Sequence, residues 1–472
     1  MKIMSNNFDF IIFGNNIAAI VLAERLSSLR KNILLVNPAK SWGGIFGGIN
    51  INNEIYDIGM TNFEFDLFGS QESNIKNYYA DPNRKLGEYV HFVENYISLF
   101  TEYHEIDTPI MSFNGNFVND LIISNNFDVL KLISLDCKKS IVSELKEILA
   151  AENLLHPTTK KTSKSNLNNA SLECASIANH GKTFHKMFIE PFFNKLLNKK
   201  TSEIPAIFHR NGWVPLFYPE TLLSQFSDEP QIIKKTIFKY PNDKYFGSFI
   251  RKIIEKIQSI ENISILYDVK DSYINNSLKT LTIQNEVYKF GKFIWTGELA
   301  SFKKNYSKSS DWSSKEELKA DLDLFFLSVN EGSINNKFSV LLDSESNFPF
   351  YRATNQTICS ADSSINHKII LESGRFASSA DDTFSNVSLN NFLSKINIDP
   401  NGVLFMQHKS FPGALKIPSS DNYNEFNKLR EELASVYSNV EFTGASSGYC
   451  CATLNDQIIQ ALKIFETAGG SL

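Results

Sequence analysis

The residues best suited to chemistry near the start of this chain are small and unreactive, and what they offer is geometry. Asp9-Phe10-Ile11-Ile12-Phe13 is a run of strand length closed by Gly14, and residues 17–29 then bring Ile17, Ile20, Val21, Ala23, Leu26 and Leu29 round at near-helical spacing. Ile33-Leu34-Leu35-Val36 completes a βαβ unit. Where such a unit turns from strand into helix, unpaired N–H groups and the positive end of the helix dipole point at one spot, a cradle for pyrophosphate. Gly14 supplies that turn.

The dinucleotide fingerprint G-x-G-x-x-G/A also asks for glycine at its third position and an acidic residue at the end of the second strand. Here it reads Gly14-Asn15-Asn16-Ile17-Ala18-Ala19, and the second strand ends in Asn37. Ala19 is small enough for close helix-to-strand packing. Asn16 narrows the approach of backbone to phosphate, and Asn37 offers a ribose hydrogen bond without the strength that a carboxylate's charge would add. Read alone, the unit either binds a dinucleotide or shares the geometry and binds nothing.

The continuation extends the pattern. Ser41-Trp42-Gly43-Gly44-Ile45-Phe46-Gly47-Gly48 is followed by Tyr56-Asp57-Ile58-Gly59-Met60. In order and spacing these segments resemble the FAD-dependent oxidoreductase superfamily that holds amine oxidases, protoporphyrinogen oxidase, phytoene desaturases and UDP-galactopyranose mutase. The resemblance implies FAD as cofactor, with Gly43 and Gly44 near it and the D-x-G segment ending in Gly59 over the flavin ring. It implies that Val269, after the strand-like Ile263-Ser264-Ile265-Leu266, meets the adenine through its backbone. Phe293-Ile294-Trp295-Thr296-Gly297 resembles the return strand of the same proteins, with Glu298 where proline is common. Val440-Glu441-Phe442-Thr443-Gly444, the loop through Gly448, and a helix from about Thr453 that includes Asn455 resemble the unit that closes the flavin site. Ala445 stands where an acidic residue is usual. With Asn16 and Asn37 this makes three departures on one binding surface.

The elements that must position these residues follow from the same patterning. The implied fold is α/β: a Rossmann-like FAD-binding domain assembled from residues 1–70, 240–310 and 435–472, with an inserted mixed α+β substrate domain from residues 71–239 and 311–434. Within the insertion, residues 89–103 carry an amphipathic stripe, Asn114-Gly115 is a hairpin turn, residues 127–153 read as helical, and 156–169 read as a linker. Phe184, Phe188, Phe192 and Leu196 are spaced by four, which is core packing. Residues 322–329, 338–342, 350–355 and 369–372 read as strands of one substrate-side sheet. Phe350-Tyr351-Arg352 resembles the place where mutase-like proteins set an arginine on a substrate diphosphate, a role suited to a planar fork that stays charged. Arg352 equally suits a structural ion pair. Arg210, Tyr351 and Tyr240 complete the implied substrate set.

Composition narrows the classes. The chain has 472 residues and a formal net charge of -5, which offers no basic field for nucleic acid. Cys137, Cys174, Cys359, Cys450 and Cys451 show no C-x-x-C pair, the histidines show no metal-ligand spacing, and no metal is expected. Neither a signal peptide nor an apolar stretch of about 20 residues is evident, so a cytoplasmic setting without a membrane span is expected. The oligomeric state stays open.

The expected activity is FAD-dependent oxidation of a small polar metabolite, with a nucleotide sugar as one candidate, by hydride transfer to flavin; the catalytic residues are unknown. Two alternatives stand beside it: a mutase acting on a nucleotide sugar, and a homologue that binds a dinucleotide or a partner without flavin. The enzyme readings depend on the glycine corners at Gly14 and Gly444 meeting in space to enclose one flavin, with no packed side chains filling the gap between them.

Overall fold

The computed structural model describes residues 6–65, 75–76, 89–155, 170–212, 214–233, 235–306, 319–344, 348–375, 386–450 and 453–472. The linker expected at 156–169 lies outside the described residues.

Four strands rich in apolar residues form the core of the parallel part of one sheet. Ile263–Leu266, Ile33–Val36, Asn7–Phe13 and Glu286–Trp295 lie side by side in that order, and Val440–Phe442 pairs in parallel with the far half of Glu286–Trp295. The near half of that strand pairs antiparallel with Thr280–Ile283, which pairs in turn with Ser272–Asn275. The return strand expected over residues 293–297 is therefore the far half of a longer strand, and Gly291 lets its middle pass the backbone of Asp9.

The apolar runs are continuous because both faces of this sheet are covered. Ile12, Ile33, Leu35 and Ile294 face a core shared with the helices Ile17–Ser27, Ser248–Ser259 and Leu454–Thr467, whereas Ile11, Phe13, Leu34, Val36 and Trp295 face the other side. The Val90–Ser98 helix, shorter than its stripe suggests, packs Val93, Tyr96 and Ile97 into the first of these cores.

The second sheet runs Val403–Lys416, Lys319–Asn330, Asn366–Arg375, Phe350–Asn355, Val340–Asp343, Ile110–Phe113, Asn116–Asn119. All neighbours are antiparallel except Val340–Asp343 with Ile110–Phe113. The Asn114-Gly115 turn joins the last two, both residues having positive φ as a tight hairpin requires. Leu172–Phe184 and Glu190–Leu197 are joined through a π-turn at His185–Ile189, and Phe184, Phe188, Phe192 and Leu196 are core residues as their spacing predicts.

In the first sheet, strand register decides which residues share an edge. Phe13 stands beside both Val36 and Trp295, and Trp295 beside Phe442. The next residues along, Gly14, Asn37, Thr296 and Thr443, are thus brought to one edge of the sheet, the carboxyl edge at which open α/β sheets bind ligands.

Gly14 has φ of +147°, and a Cβ there would lie 1.9 Å from Thr296 Oγ1. Gly14→Ala is expected to lower stability by about 1–3 kcal/mol, with part of the loss recovered in Gly14→Ala/Thr296→Ala, measured as urea midpoints.

Candidate active site

The glycine corners meet at Thr296. Its N–H and hydroxyl both donate to Phe13 O, and its carbonyl accepts from Asn16 Nδ2 at 2.7 Å and from the Ala445 amide at 3.1 Å. Gly444, at φ +62°, leaves room there; a Cβ would fall 2.6 Å from Thr296 O and 2.9 Å from Asn16 Nδ2. The space between Gly14 and Gly444 is accordingly closed by Thr296 and Asn16. Asn16 is the N-cap of the Ile17–Ser27 helix, its Oδ1 accepting from the Ala19 amide at 3.1 Å.

The part of the cradle expected to hold adenosine is satisfied from within. Asn37 is fully buried; its Oδ1 accepts from the Ala39 amide at 2.7 Å and its Nδ2 donates to Ser41 O at 3.2 Å. Asn15 Nδ2 reaches the same carbonyl, and Gly43 N donates to Asn15 O at 2.7 Å. The Val269 amide donates to Asn37 O, and its side chain is buried. Asn37, expected at the ribose, is placed by these bonds in shaping the 37–41 loop. Gly44 differs, since a Cβ on it would have only Asn16 Cβ nearby, at 4.0 Å.

Beyond Thr296 a cavity of about 520 Å³ opens between the two sheets. One wall comes from segments that the sequence assigned to the cofactor domain: Ile45 and Phe46, Ile58, Met60 to Asn62, Glu64, Ala445, and Thr453 to Asn455. The other comes from Leu196 and Leu197, Leu322, Tyr351, Arg352, Glu372, and residues 411–418. Thr453 caps the Leu454–Thr467 helix, its Oγ1 accepting from Asp456 N while Asp456 Oδ2 accepts from Thr453 N. The positive end of that helix therefore faces the cavity. Gly448 lies half-buried in the bend before it.

Two amides on this wall are incomplete. Asn455 donates from Nδ2 to Glu64 O at 3.0 Å, but its Oδ1 is buried with no partner among the described residues. Both amide atoms of Asn62 are in the same condition. Buried polar atoms without partners are costly, so their presence beside a cavity marks where a ligand would complete them. A flavin ring fits that need, its imide edge offering an N–H between two carbonyls. The fit is therefore divided: Asn62, Asn455 and the helix end suit the ring, and Asn37 does not suit the ribose.

The opposite wall is organised by Glu372, which sequence reasoning missed. Its carboxylate accepts from Arg352 Nε and Nη2, both at 2.6 Å, from the Met60 amide at 2.9 Å and from Tyr351 OH at 3.1 Å. Gly59, at φ +77°, passes so close that a Cβ would lie 2.9 Å from Glu372 Oε2. Arg352 and Glu372 are cross-strand partners. Burial works against the charge on Arg352, but the facing carboxylate outweighs it and raises the guanidinium's pKa further. Arg352 as the one charge in Phe350–Asn355, and Glu372 directly after the apolar run Ile369-Ile370-Leu371, were the signal available in the sequence.

Tyr240, expected at the substrate, is instead buried with its hydroxyl donating to Asp57. Asp57 also accepts from the Phe246 amide at 3.0 Å, while its own amide donates to Gln356 Oε1 at 2.8 Å, so it ties the D-x-G segment to the turn before the Ser248–Ser259 helix and to the helical turn after Phe350–Asn355. The side chain of Arg210 lies outside the described residues. At the cavity's rim Glu298 meets Lys319 at 3.0 Å and Lys416 at 3.5 Å. Burial would raise its pKa, and the two lysines more than reverse this. Among the described residues no helix is long and apolar enough to cross a membrane.

Comparisons with known proteins bear on the fold. No family model matches the chain, and no curated protein matches it. Solved structures do. Reduced UDP-galactopyranose mutase aligns over 98% of this chain and 96% of its own at 15% identity, with a TM-score of 0.74. A protein described as a protoporphyrinogen oxidase from Exiguobacterium gives 0.63 at 13% identity over 98% and 99%. Putrescine oxidase bound to putrescine gives 0.58 at 9% identity over the same shares. The chain thus has the fold of the superfamily that its glycine segments resemble.

Because the Asn37 side chain is bonded within its own loop, FAD and FMN are expected to bind within tenfold of each other, or about 1.4 kcal/mol, in fluorescence titrations. Burial also raises Asp57 to about 6, against bonds from Tyr240 and Phe246 that act to lower it. Between pH 4 and 6 the folded chain thus holds a proton that the unfolded chain has lost. This contribution is full below about pH 4 and is lost as pH rises through 6, on the order of 2–3 kcal/mol. Asp57→Asn is expected to flatten the urea midpoint over that window, leaving the slope from Asp120, which burial also raises to about 6.

Proposed function

We propose that the protein is a flavin-dependent oxidoreductase that removes hydride from a carbon next to oxygen or nitrogen. The observation that carries this reading is the cavity at the carboxyl edge of the parallel sheet, with the buried, incomplete amides of Asn62 and Asn455 in its wall. A flavin bound there supplies the hydride acceptor.

The chain's own residues supply position and field. Asn62 and Asn455 orient a ring that carries an imide edge. The capped end of the Leu454–Thr467 helix favours negative charge at that edge, as reduction requires. Leu196, Leu197, Leu322 and Phe411 exclude water from the opposite wall. Glu372 holds the Met60 amide, and with it the strap from Asp57 to Asn62, at a fixed height above the cavity. Orientation of the substrate's C–H over the ring is the contribution required of these groups.

The mutase reading keeps one observation in its favour, the TM-score of 0.74 to reduced UDP-galactopyranose mutase. It requires Arg352 to meet a diphosphate, and in this structure its fork meets Glu372. The inward bonds of Asn16 and Asn37 favour the third reading, a homologue without flavin.

Absorbance near about 450 nm in the purified protein, bleached anaerobically by an amine or alcohol substrate, is the expected result. Activity only after dithionite reduction, with no electrons consumed, would establish the mutase instead, and a colourless protein that takes up no added flavin the third reading. Asn62→Ala and Asn455→Ala are each expected to weaken flavin binding about five- to thirtyfold, read by fluorescence quenching.

A further inference from the structure

Resting on the oxidoreductase reading, we propose that the substrate side of the cavity selects an uncharged, largely apolar molecule, and that Glu372 sets this selectivity by withholding Arg352 from anions. Arg352 is the cation that the sequence offers to a phosphate. Its side chain is 6% exposed, and both nitrogens of its bidentate edge are engaged by one carboxylate at 2.6 Å.

A phosphate seeking the Nε–Nη2 edge of Arg352 would have to displace Glu372, and Nη1 lies against Met60 Sδ at 3.7 Å. That carboxylate could not move away cheaply, because it is 2% exposed and also holds the Met60 amide and the Tyr351 hydroxyl. A diphosphate would then lie beside a buried anion stripped of its partner, an arrangement that opposes binding through both desolvation and like-charge repulsion. Gly59 fixes the carboxylate from above, its backbone too close for any side chain. The pair thus presents a neutral, closed surface to the cavity.

The rest of the wall agrees. Leu196, Leu197, Leu322, Phe411 and Leu415 give it an apolar lining. Of its other charged residues, Glu298 and Lys416 are paired with each other at the rim, and Glu64 adds a negative charge whose field acts on Arg352. Such a compartment rewards burial of apolar area and opposes an anionic group, its lining cations Arg352 and Lys416 each facing a carboxylate.

The test is binding to the protein as purified, with N-phenyl-1-naphthylamine as the uncharged apolar probe, followed by fluorescence, and inorganic pyrophosphate and UDP as anionic probes, followed by calorimetry. The wild type is expected to bind the naphthylamine at least 100-fold more tightly than either anion. Ala414→Trp, at an exposed position on the cavity wall, is expected to weaken the naphthylamine at least tenfold. Glu372→Gln, which leaves Arg352 with an uncompensated charge, is expected to gain pyrophosphate binding at least tenfold over wild type. If that variant does not fold, the wild-type ranking and Ala414→Trp decide. Preference of the wild type for pyrophosphate or UDP, binding of none of the probes, or naphthylamine binding indifferent to Ala414→Trp would overturn the proposal. The visible spectrum scores the flavin reading separately. A yellow protein that prefers pyrophosphate loses the selectivity alone, and a colourless one that prefers the naphthylamine loses the flavin alone.

Discussion

Three stretches of chain separated by hundreds of residues are joined at one peptide carbonyl, that of Thr296. It accepts from the side chain of Asn16 and from the amide of Ala445, while the same residue's N–H and hydroxyl hold Phe13 O. A carbonyl has two lone pairs, and both are used. Two glycines with positive φ make this possible, because at either position a Cβ would strike Thr296. The carboxyl edge of the sheet, the mouth of the cavity and the capped helix behind it all take their positions from this junction.

The first βαβ unit, the return strand and the closing helix were legible because each is buried on both sides or carries a cap. Burial forces an unbroken apolar run, and the cap at Thr453 needs a short-range pattern with Asp456 that can be seen directly. The strand Val403–Lys416 was not legible. It lies at an edge, its side chains alternate between exposed and half-exposed, and few of them need to be large and apolar. The pairing of Glu286–Trp295 with three other strands was hidden for a different reason, since two of its partners lie far away along the chain and register is set only when they meet.

At the site, the sequence showed which residues could do chemistry but not what each would face. Arg352 was visible as either a phosphate ligand or an ion-pair member, and the choice rested on Glu372, twenty residues away on the next strand. Asn37 was visible as a polar group at a strand end, yet its amide turns back into its own loop, as short polar side chains do when backbone groups lie two to four residues on. Asn62 carried no local pattern at all. Its importance follows from burial of both amide atoms beside an open space, which only the tertiary structure creates.

The order in which the parallel sheet is threaded has a further consequence for synthesis. Asn7–Phe13 can pair with Ile33–Val36 early, but its other neighbour, Glu286–Trp295, arrives after some 250 more residues, and Val440–Phe442 comes last of all. Contacts of such separation are slow to form, and an unpaired strand edge invites association with other chains. While a ribosome is still extending the chain, the apolar edge of Asn7–Phe13 stands open for most of translation. Until its middle third emerges, the nascent chain carries an unpaired strand edge of the kind that favours association with other chains.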